Sequence, residues 1–220
     1  MACSTTRAVW VLMAATLLAG CKLPDVGSGA AGQPGATTAA PPASPADAKT
    51  RLGTQTIAKR AGMGGYSRDE FPHWDDAGGA CDVREKVLER DGTDVTVGAG
   101  CAPKSGTWVS VYDGETWHRA SDVDIDHVVP LGQAWASGAK DWPRDRREQF
   151  ANDLERPQLK TVTDNLNEEK GDKAPDEWKP PLVSYWCTYA VDWIVVKQFY
   201  GLTITEPEKA ALSVMLGHCA

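Results

Sequence analysis

The side chains best suited to chemistry stand in two segments, one in the middle of the chain and one far downstream. Alternate residues of a β-strand share a face, so Asp124 and Asp126 should point the same way. His127 follows directly, where a neutral imidazole can accept a proton near neutral pH. In the second segment Asn167 adds an amide oxygen, and carboxylate and amide oxygens are donors that a hard cation such as magnesium prefers. A proton acceptor beside such a cation indicates metal-assisted hydrolysis of a phosphodiester.

Two predicted strands and one helix must position these side chains. The first strand runs from about Ser121 to His127 through a β-branched apolar stretch. Alternation and β-branching predict a second strand over Gln158–Thr163. Asp164 can cap a helix that ends at Gly171. The order strand, strand, helix would therefore bring the two segments together.

The motifs resemble those of a known nuclease family. Asp-His-Val-Val-Pro-Leu at 126–131, followed by Asn-x-x-Lys-Gly-Asp at 167–172, resembles HNH endonucleases, also called His-Me finger or ββα-metal nucleases. More narrowly, the chain resembles the secreted HNH family of Gram-positive bacteria, from about Tyr66 to Cys219. Shorter matches along this range are Cys81–Glu85, Gly106–Trp108, Tyr112–Gly114, Trp135–Ala139, Phe150–Asp153 and Asp176–Pro181. The resemblance implies an α+β fold with a ββα-metal core, added helices, a β-hairpin and stapling disulfides.

The resemblance also implies roles for individual residues. His127 is the expected general base, and Asp126 and Asn167 are the expected ligands of one divalent ion, with magnesium the expected metal. Because the third motif residue is Asn167 rather than histidine, the site favours an oxygen-preferring ion over zinc.

Three further residues are expected to support this centre: Asp124, Gln158 and Asp172. Many HNH proteins carry an asparagine at the start of the second strand, where it braces the loop that holds the base. Here that position is Gln158, and Asn152 is the alternative.

Charge limits how the chain can hold a nucleic acid. The formal net charge of the 220 residues is −7, so binding must depend on a local patch and the metal ion rather than on global steering. Lys170 and Arg146 are the candidate phosphate contacts, and arginine presents planar paired donors suited to phosphate. A solvated helix surface is the alternative for both.

Residues 1–21 are predicted to be a lipoprotein signal peptide. Arg7 supplies the positive charge, and the apolar stretch after it is too short to span a bilayer comfortably. Leu18–Cys21 resembles a bacterial lipobox, in which cleavage leaves Cys21 as the lipid-modified first residue. An ordinary secretory signal is the alternative, and either one places the mature protein outside the cytoplasm, membrane-anchored or secreted.

Two regions are predicted after the signal. Residues 22–50 are rich in Ala, Pro and Gly and cannot bury enough apolar surface to offset their ordering entropy, which predicts a flexible linker. Residues 51–220 form the predicted HNH nuclease domain. A lipid on Cys21 would then be its sole contact with a membrane.

The four cysteines of the exported domain predict two disulfides. Four thiols allow three connectivities; we expect Cys81–Cys101 and Cys187–Cys219, since each pair closes a local loop and fits the family pattern. A zinc site is the alternative, but the chain contains no Cys-x-x-Cys spacing.

Other local signals predict the surrounding elements. Asp113-Gly114 is typical of a two-residue hairpin turn within Thr107–Trp117. Aromatic and aliphatic residues at helical spacing predict a long core helix over Ser184–Tyr200, and the capping box Thr205–Glu208 predicts a last helix. The nine tryptophans favour core packing over base-stacking platforms.

The sequence thus predicts an exported, metal-dependent endonuclease acting on DNA, with RNA a further candidate substrate and no obligate protein partner. A catalytically silent, lipid-anchored binding module with the same fold is the alternative. A zinc-dependent cell-wall hydrolase is disfavoured because the chain has four histidines and no His-x-His pair. Of the remaining histidines, His73 and His118 are expected to have structural or surface roles.

Overall fold

The computed structural model describes residues 43–220, which form a mixed α+β fold. The strands are β1 (Asp76–Gly78), β2 (Cys81–Asp82), β3 (Thr93–Val97), β4 (Pro103–Val109), β5 (Thr116–Trp117), β6 (Val123–His127) and β7 (Leu159–Thr163). The helices are α1 (Pro45–Thr54), α2 (Val83–Asp91), α3 (Leu131–Ala136), α4 (Arg144–Ala151), α5 (Asp164–Lys170), α6 (Trp186–Tyr200) and α7 (Glu206–Leu216). The predicted signal peptide, Cys21 and most of the predicted linker lie outside the described residues.

Strands β6 and β7 pair antiparallel, and α5 follows β7 directly. Alternation along β6 separates two environments: Val123 and Ile125 pack against the apolar face of α2, whereas Asp124 and Asp126 meet side chains of α5. The predicted order strand, strand, helix is therefore present. One detail differs from expectation, since Thr163 rather than Asp164 occupies the N-cap position.

The hairpin between β4 and β5 is longer than predicted. Instead of a two-residue turn, residues 110–115 form a loop closed by the hydrogen bond from the Ser110 amide to the Glu115 carbonyl at 2.9 Å. The longer loop directs Tyr112 into the core, where it is fully buried, and lets Asp113 accept a hydrogen bond from Thr163 Oγ1 at 2.8 Å. Tyr112 and Asp113 thus join the loop to the core and to β7, and a local turn signal does not contain these distant contacts.

Helix α1 lies partly within the range predicted to be a linker. Ser44 and Asp47 form a capping box with Pro45 between them, and Ala48 and Leu52 are buried in the main hydrophobic core. The predicted linker, residues 22–50, therefore extends too far at its C-terminal end. The Ala- and Pro-rich composition concealed a helix start that the Ser-Pro-x-Asp spacing indicates.

The main core surrounds the long helix α6. Tyr189 and Trp193 are fully buried there, and α1 and α7 pack against the helix. The predicted capping box opens α7, with Thr205 accepting a hydrogen bond from the Glu208 amide. None of the helices within residues 43–220 is long and apolar enough to cross a membrane.

Both predicted disulfides are confirmed. Cys81 is bonded to Cys101 and Cys187 to Cys219, across sequence separations of 20 and 32 residues. The alternative of a zinc site on these cysteines is therefore excluded.

Candidate active site

A cleft opens where the ends of β6 and α5 meet. The segment before β1 forms part of its wall, and the turns after β6 and α5 complete it. Its lining residues are Tyr66, Arg68, Asp124, Ile125, Asp126, His127, Pro130, Leu131, Asn167, Glu168, Gly171 and Asp172. The structure thus brings the two chemically suited segments of the sequence to one place.

His127 is buried at the end of β6, with its side chain held from two directions. Its Nε2 lies 2.9 Å from the carbonyl oxygen of Ala151, which only accepts hydrogen bonds, so Nε2 carries the proton and Nδ1 holds the lone pair. The indole of Trp74 stacks on the imidazole at 5.4 Å between ring centroids. Burial lowers the pKa of His127 to about 3, which keeps the ring neutral. The neutral ring keeps the Nδ1 lone pair available, while the same burial makes it a weaker base than a solvent-exposed imidazole.

Asp124 and Asn167 face each other across the cleft wall. The amide nitrogen of Asn167 donates to Asp124 Oδ2 at 3.0 Å, and both side chains are half-buried. A half-turn of the amide places its oxygen at the same position, so a cation between the two side chains would meet oxygen from both. Asp124, predicted to be a supporting residue, is thus as well placed to be a ligand as Asn167.

Asp126 belongs to a buried polar cluster. Its Oδ1 accepts a hydrogen bond from Lys170 Nζ at 2.9 Å, and its Oδ2 accepts one from the hydroxyl of Tyr112. The same ammonium donates to the carbonyl oxygen of His127 at 2.9 Å. Lys170 is fully buried, so the structure does not support the predicted contact between Lys170 and a substrate phosphate. Its charge instead compensates Asp126, since a buried carboxylate needs a partner.

The donor set at the cleft fits a hard divalent cation. Each carboxylate oxygen has two lone pairs, so the oxygens of Asp126 retain acceptor capacity after their hydrogen bonds. Within residues 43–220, no group of three or more His, Cys, Asp and Glu side chains is arranged to hold a metal ion. The candidate set is instead two carboxylates and the carboxamide of Asn167, and such oxygen-only sets suit magnesium rather than zinc.

Gln158 lies where the predicted bracing role requires. The side chain is fully buried, accepts a hydrogen bond from the Val129 amide at 3.1 Å and donates one to the Val129 carbonyl at 2.9 Å. The alternative residue, Asn152, holds a different loop: it donates to the Pro72 carbonyl at 2.8 Å and accepts from the Asp75 amide at 3.1 Å. Gln158 therefore fixes the backbone two residues after His127, and Asn152 fixes the loop whose Trp74 stacks on the imidazole.

Asp172 joins the end of α5 to the start of α3. Its Oδ1 accepts a hydrogen bond from the Gly132 amide at 3.0 Å, and Gln133 donates to its backbone carbonyl at 2.7 Å. A Cβ atom on Gly132 would lie 2.5 Å from the Asp172 carboxyl carbon, so the approach requires glycine. The predicted ordering role of Asp172 agrees with these contacts.

Arg146 does not reach the cleft. Its guanidinium donates to the Tyr200 carbonyl at 2.8 Å and lies over the Trp142 ring at 4.5 Å. The predicted phosphate contact by Arg146 is therefore not supported. Arg68 stands in the cleft wall instead, and its Nε donates to His73 Nε2 at 3.1 Å.

Sequence reasoning missed the aromatic and cationic wall before β1 and the role of Tyr112. Trp74 and His73 precede His127 by about fifty residues in the sequence, so only the tertiary fold shows that they adjoin it. The family resemblance included Tyr112–Gly114, but it did not predict that the Tyr112 hydroxyl donates a hydrogen bond to Asp126. His118 contacts Thr107, consistent with the expected surface role.

Comparisons with known proteins place the chain in a family. Residues 98–215 match the family described as "GmrSD restriction endonucleases, C-terminal domain", a range that contains β6, β7 and α5. A relative from the fungus Arthroderma benhamiae, described as an uncharacterized secreted protein, is 56% identical over 172 residues, which are 78% of this chain and 84% of the relative. No solved structure matches the chain. Over more than half of its length, the chain belongs to the family of GmrSD restriction endonuclease C-terminal domains.

Proposed function

We propose that the protein is an exported HNH-type endonuclease that hydrolyses phosphodiester bonds of DNA, with RNA as a second candidate substrate. His127 is the general base, and one divalent ion, magnesium by donor type, is held by Asp126 and Asn167 together with Asp124. The observation that carries the proposal is convergence: a neutral imidazole with an available lone pair lines the same cleft as three oxygen-bearing side chains.

The arrangement supports hydrolysis by an activated water. His127 Nδ1 takes a proton from the water as its oxygen forms a bond to phosphorus, and the bond from phosphorus to the 3′-oxygen breaks. Ala151 holds the imidazole in the tautomer that this step needs, and the carbonyl can stabilise the imidazolium that forms. A proton from solvent neutralises the 3′-oxygen, which leaves a 5′-phosphate and a 3′-hydroxyl. A bound divalent ion supplies charge stabilisation for the phosphate and the leaving oxygen.

Family membership is a second line of support for nuclease activity, independent of the geometry of the cleft. The matched description names restriction endonucleases, and the matched range contains His127 and its proposed ligands. The succession of β6, β7 and α5 supports the ββα-metal unit that the motifs imply, with an insertion between the strands that carries α3 and α4.

Export is supported by two further observations. Both disulfides join residues of the domain, and such bonds persist in oxidising compartments. The fungal relative is described as secreted. A lipid anchor on Cys21 stays a prediction, since that residue lies outside the described part of the chain.

A plasmid digest tests the function. Purified protein is incubated with supercoiled plasmid and magnesium, with and without chelator, beside His127→Asn and the matched control His118→Asn. We expect cleavage by the wild type with magnesium, none with chelator, and a rate about 10²- to 10⁴-fold lower for His127→Asn. His118→Asn should cleave like the wild type, since that ring contacts a surface threonine.

Two outcomes would contradict the proposal at different levels. A wild-type protein that binds DNA yet cleaves nothing with several divalent ions would favour the binding module. Cleavage by His127→Asn at the wild-type rate would refute the mechanism and leave the nuclease activity standing.

A further inference from the structure

The cleft is poor in positive charge for a site that takes a nucleic acid. Four carboxylates line it, those of Asp124, Asp126, Glu168 and Asp172. Lys170 compensates Asp126, but the other three would repel a phosphate, and one bound divalent ion would offset only part of their charge. The single lysine or arginine among the lining residues is Arg68.

The guanidinium of Arg68 is hydrogen-bonded through Nε, and its two terminal nitrogens are available to a ligand. Its Nε donates to His73 Nε2 at 3.1 Å, and within residues 43–220 its terminal nitrogens make no hydrogen bond or ion pair. The side chain is exposed, and it lines the same cleft as Asp126 and His127. The guanidinium therefore stands near the proposed base and metal ligands with its paired donors unused.

His73 is built to hold that arginine. Its Nδ1 hydrogen-bonds to the carbonyl oxygen of Phe71, so Nδ1 carries the proton and Nε2 is the acceptor that Arg68 requires. Burial lowers the pKa of His73, which favours the neutral ring. The next residue, Trp74, stacks on His127, and Asn152 anchors the backbone on both sides of the pair. The segment that carries Arg68 is thus fixed relative to the base.

We propose that Arg68 binds a backbone phosphate of the nucleic-acid strand in the cleft, and that His73 is the positioning residue that orients its guanidinium. The inference rests on the proposed function, because it assumes that the occupant of the cleft is a nucleic acid. A planar guanidinium fixed through Nε presents its two terminal nitrogens together, which suits two phosphate oxygens. Both residues precede residues 98–215, the range that matches the family.

Binding rather than cleavage provides the test. A fluorescently labelled DNA duplex is titrated with His127→Asn protein over a range of salt concentrations, and Arg68→Ala and Arg146→Ala are each added to that background. We expect Arg68→Ala to weaken binding about tenfold and to reduce the slope of log affinity against log salt by about 1, the effect of one lost phosphate contact. Arg146→Ala should change neither quantity, since its guanidinium is engaged by Tyr200.

A double substitution separates positioning from a purely structural role of His73. His73→Ala should weaken DNA binding, but adding it to Arg68→Ala should cause little further loss, because both changes remove the same interaction. His73→Gln should restore part of the affinity through its side-chain oxygen. Additive losses would overturn the positioning role.

The remaining outcomes distinguish this inference from the proposed function. An unchanged affinity and salt slope in Arg68→Ala would overturn the inference, while plasmid cleavage by the wild type would keep the nuclease function. Absence of both DNA binding and cleavage in the wild type would refute the function, and the inference with it.

Discussion

Two lysines of the described chain are fully buried, and each is paired with a carboxylate. In the cleft region, Lys170 lies 2.9 Å from Asp126 and donates also to the His127 carbonyl. In the helical core, Lys197 lies 2.7 Å from Glu208 and donates also to Ser137 Oγ and the Thr203 carbonyl, both at 3.0 Å. Burial lowers the pKa of both ammonium groups, and the carboxylates oppose that shift.

The two pairs differ in what surrounds the carboxylate. Glu208 is enclosed by protein, accepts a hydrogen bond from Trp193 Nε1 at 2.7 Å and serves the capping box of α7. Asp126 lies in the cleft wall, beside the base. A buried lysine–carboxylate pair thus stabilises helix packing in one region and orients a proposed metal ligand in the other. Burial of an ion pair is common to both regions, and what distinguishes the Lys170–Asp126 pair is that its carboxylate lines the cleft.

Replacing each lysine by methionine tests this contrast most strongly. Either change leaves a carboxylate buried without its charge partner, and we expect each to lower the free energy of unfolding by about 3–5 kcal/mol. Lys170→Met should also reduce plasmid cleavage per folded molecule on the order of 10²-fold, because a displaced ligand and base lose their alignment. Lys197→Met should not. Urea unfolding and cleavage at a temperature where both variants are folded measure the two effects, and equal activity losses would contradict the contrast.

The two disulfides allow the same comparison between the cleft region and the helical core, with smaller expected losses of stability. Removing either bond by paired Cys→Ala changes should lower the free energy of unfolding by about 2–4 kcal/mol. Loss of Cys187–Cys219 should leave cleavage per folded molecule unchanged, since it joins α6 to the chain end. Loss of Cys81–Cys101 should also slow cleavage, because β2, which carries Cys81, pairs with β1, just after Trp74. Thermal unfolding measures the loss of stability, and plasmid digests measure the activity. Identical activities of the two variants would contradict the expected effect of Cys81–Cys101 on the active site.

Acid stability gives a further test, independent of the two lysine pairs. In chelator, the pKa of His127 is about 3 in the folded state and near 6.5 in the unfolded chain, so the unfolded state binds more protons between these values. The stability that this group contributes is complete above pH 6.5 and falls as the pH decreases, by at most about 1.4 kcal/mol per pH unit. Urea unfolding of the wild type and His127→Asn from pH 7 to 4 should show their difference shrinking toward acid. A constant difference would contradict the burial argument.

Local signals predicted much of the framework. Alternation and β-branching identified β6 and β7, and the capping residues identified α7. The placement of Gln158 and the cysteine pairing also agreed with expectation. These features depend on short spacings or on the resemblance to a known family, both of which a single sequence contains.

The remaining features depend on distant contacts. Whether Lys170 or Arg146 faces solvent, a carboxylate or a carbonyl is decided by tertiary packing, and a helical pattern does not contain that information. Arg68 and Trp74 adjoin the base only after the chain between them and β6 has folded. Helix α1 was not predicted because its Ala- and Pro-rich start resembles a linker, although the sequence contains its capping residues.

The close approach of Asp172 to Gly132 has a consequence for variation in this protein. A single added methyl group at position 132 would collide with the carboxylate and would have to displace it. Because Asp172 lines the cleft, the displacement would alter the wall in which the proposed base and ligands lie. The single hydrogen atom that serves as the side chain of Gly132 is therefore what lets the start of α3 lie against Asp172 at the end of α5.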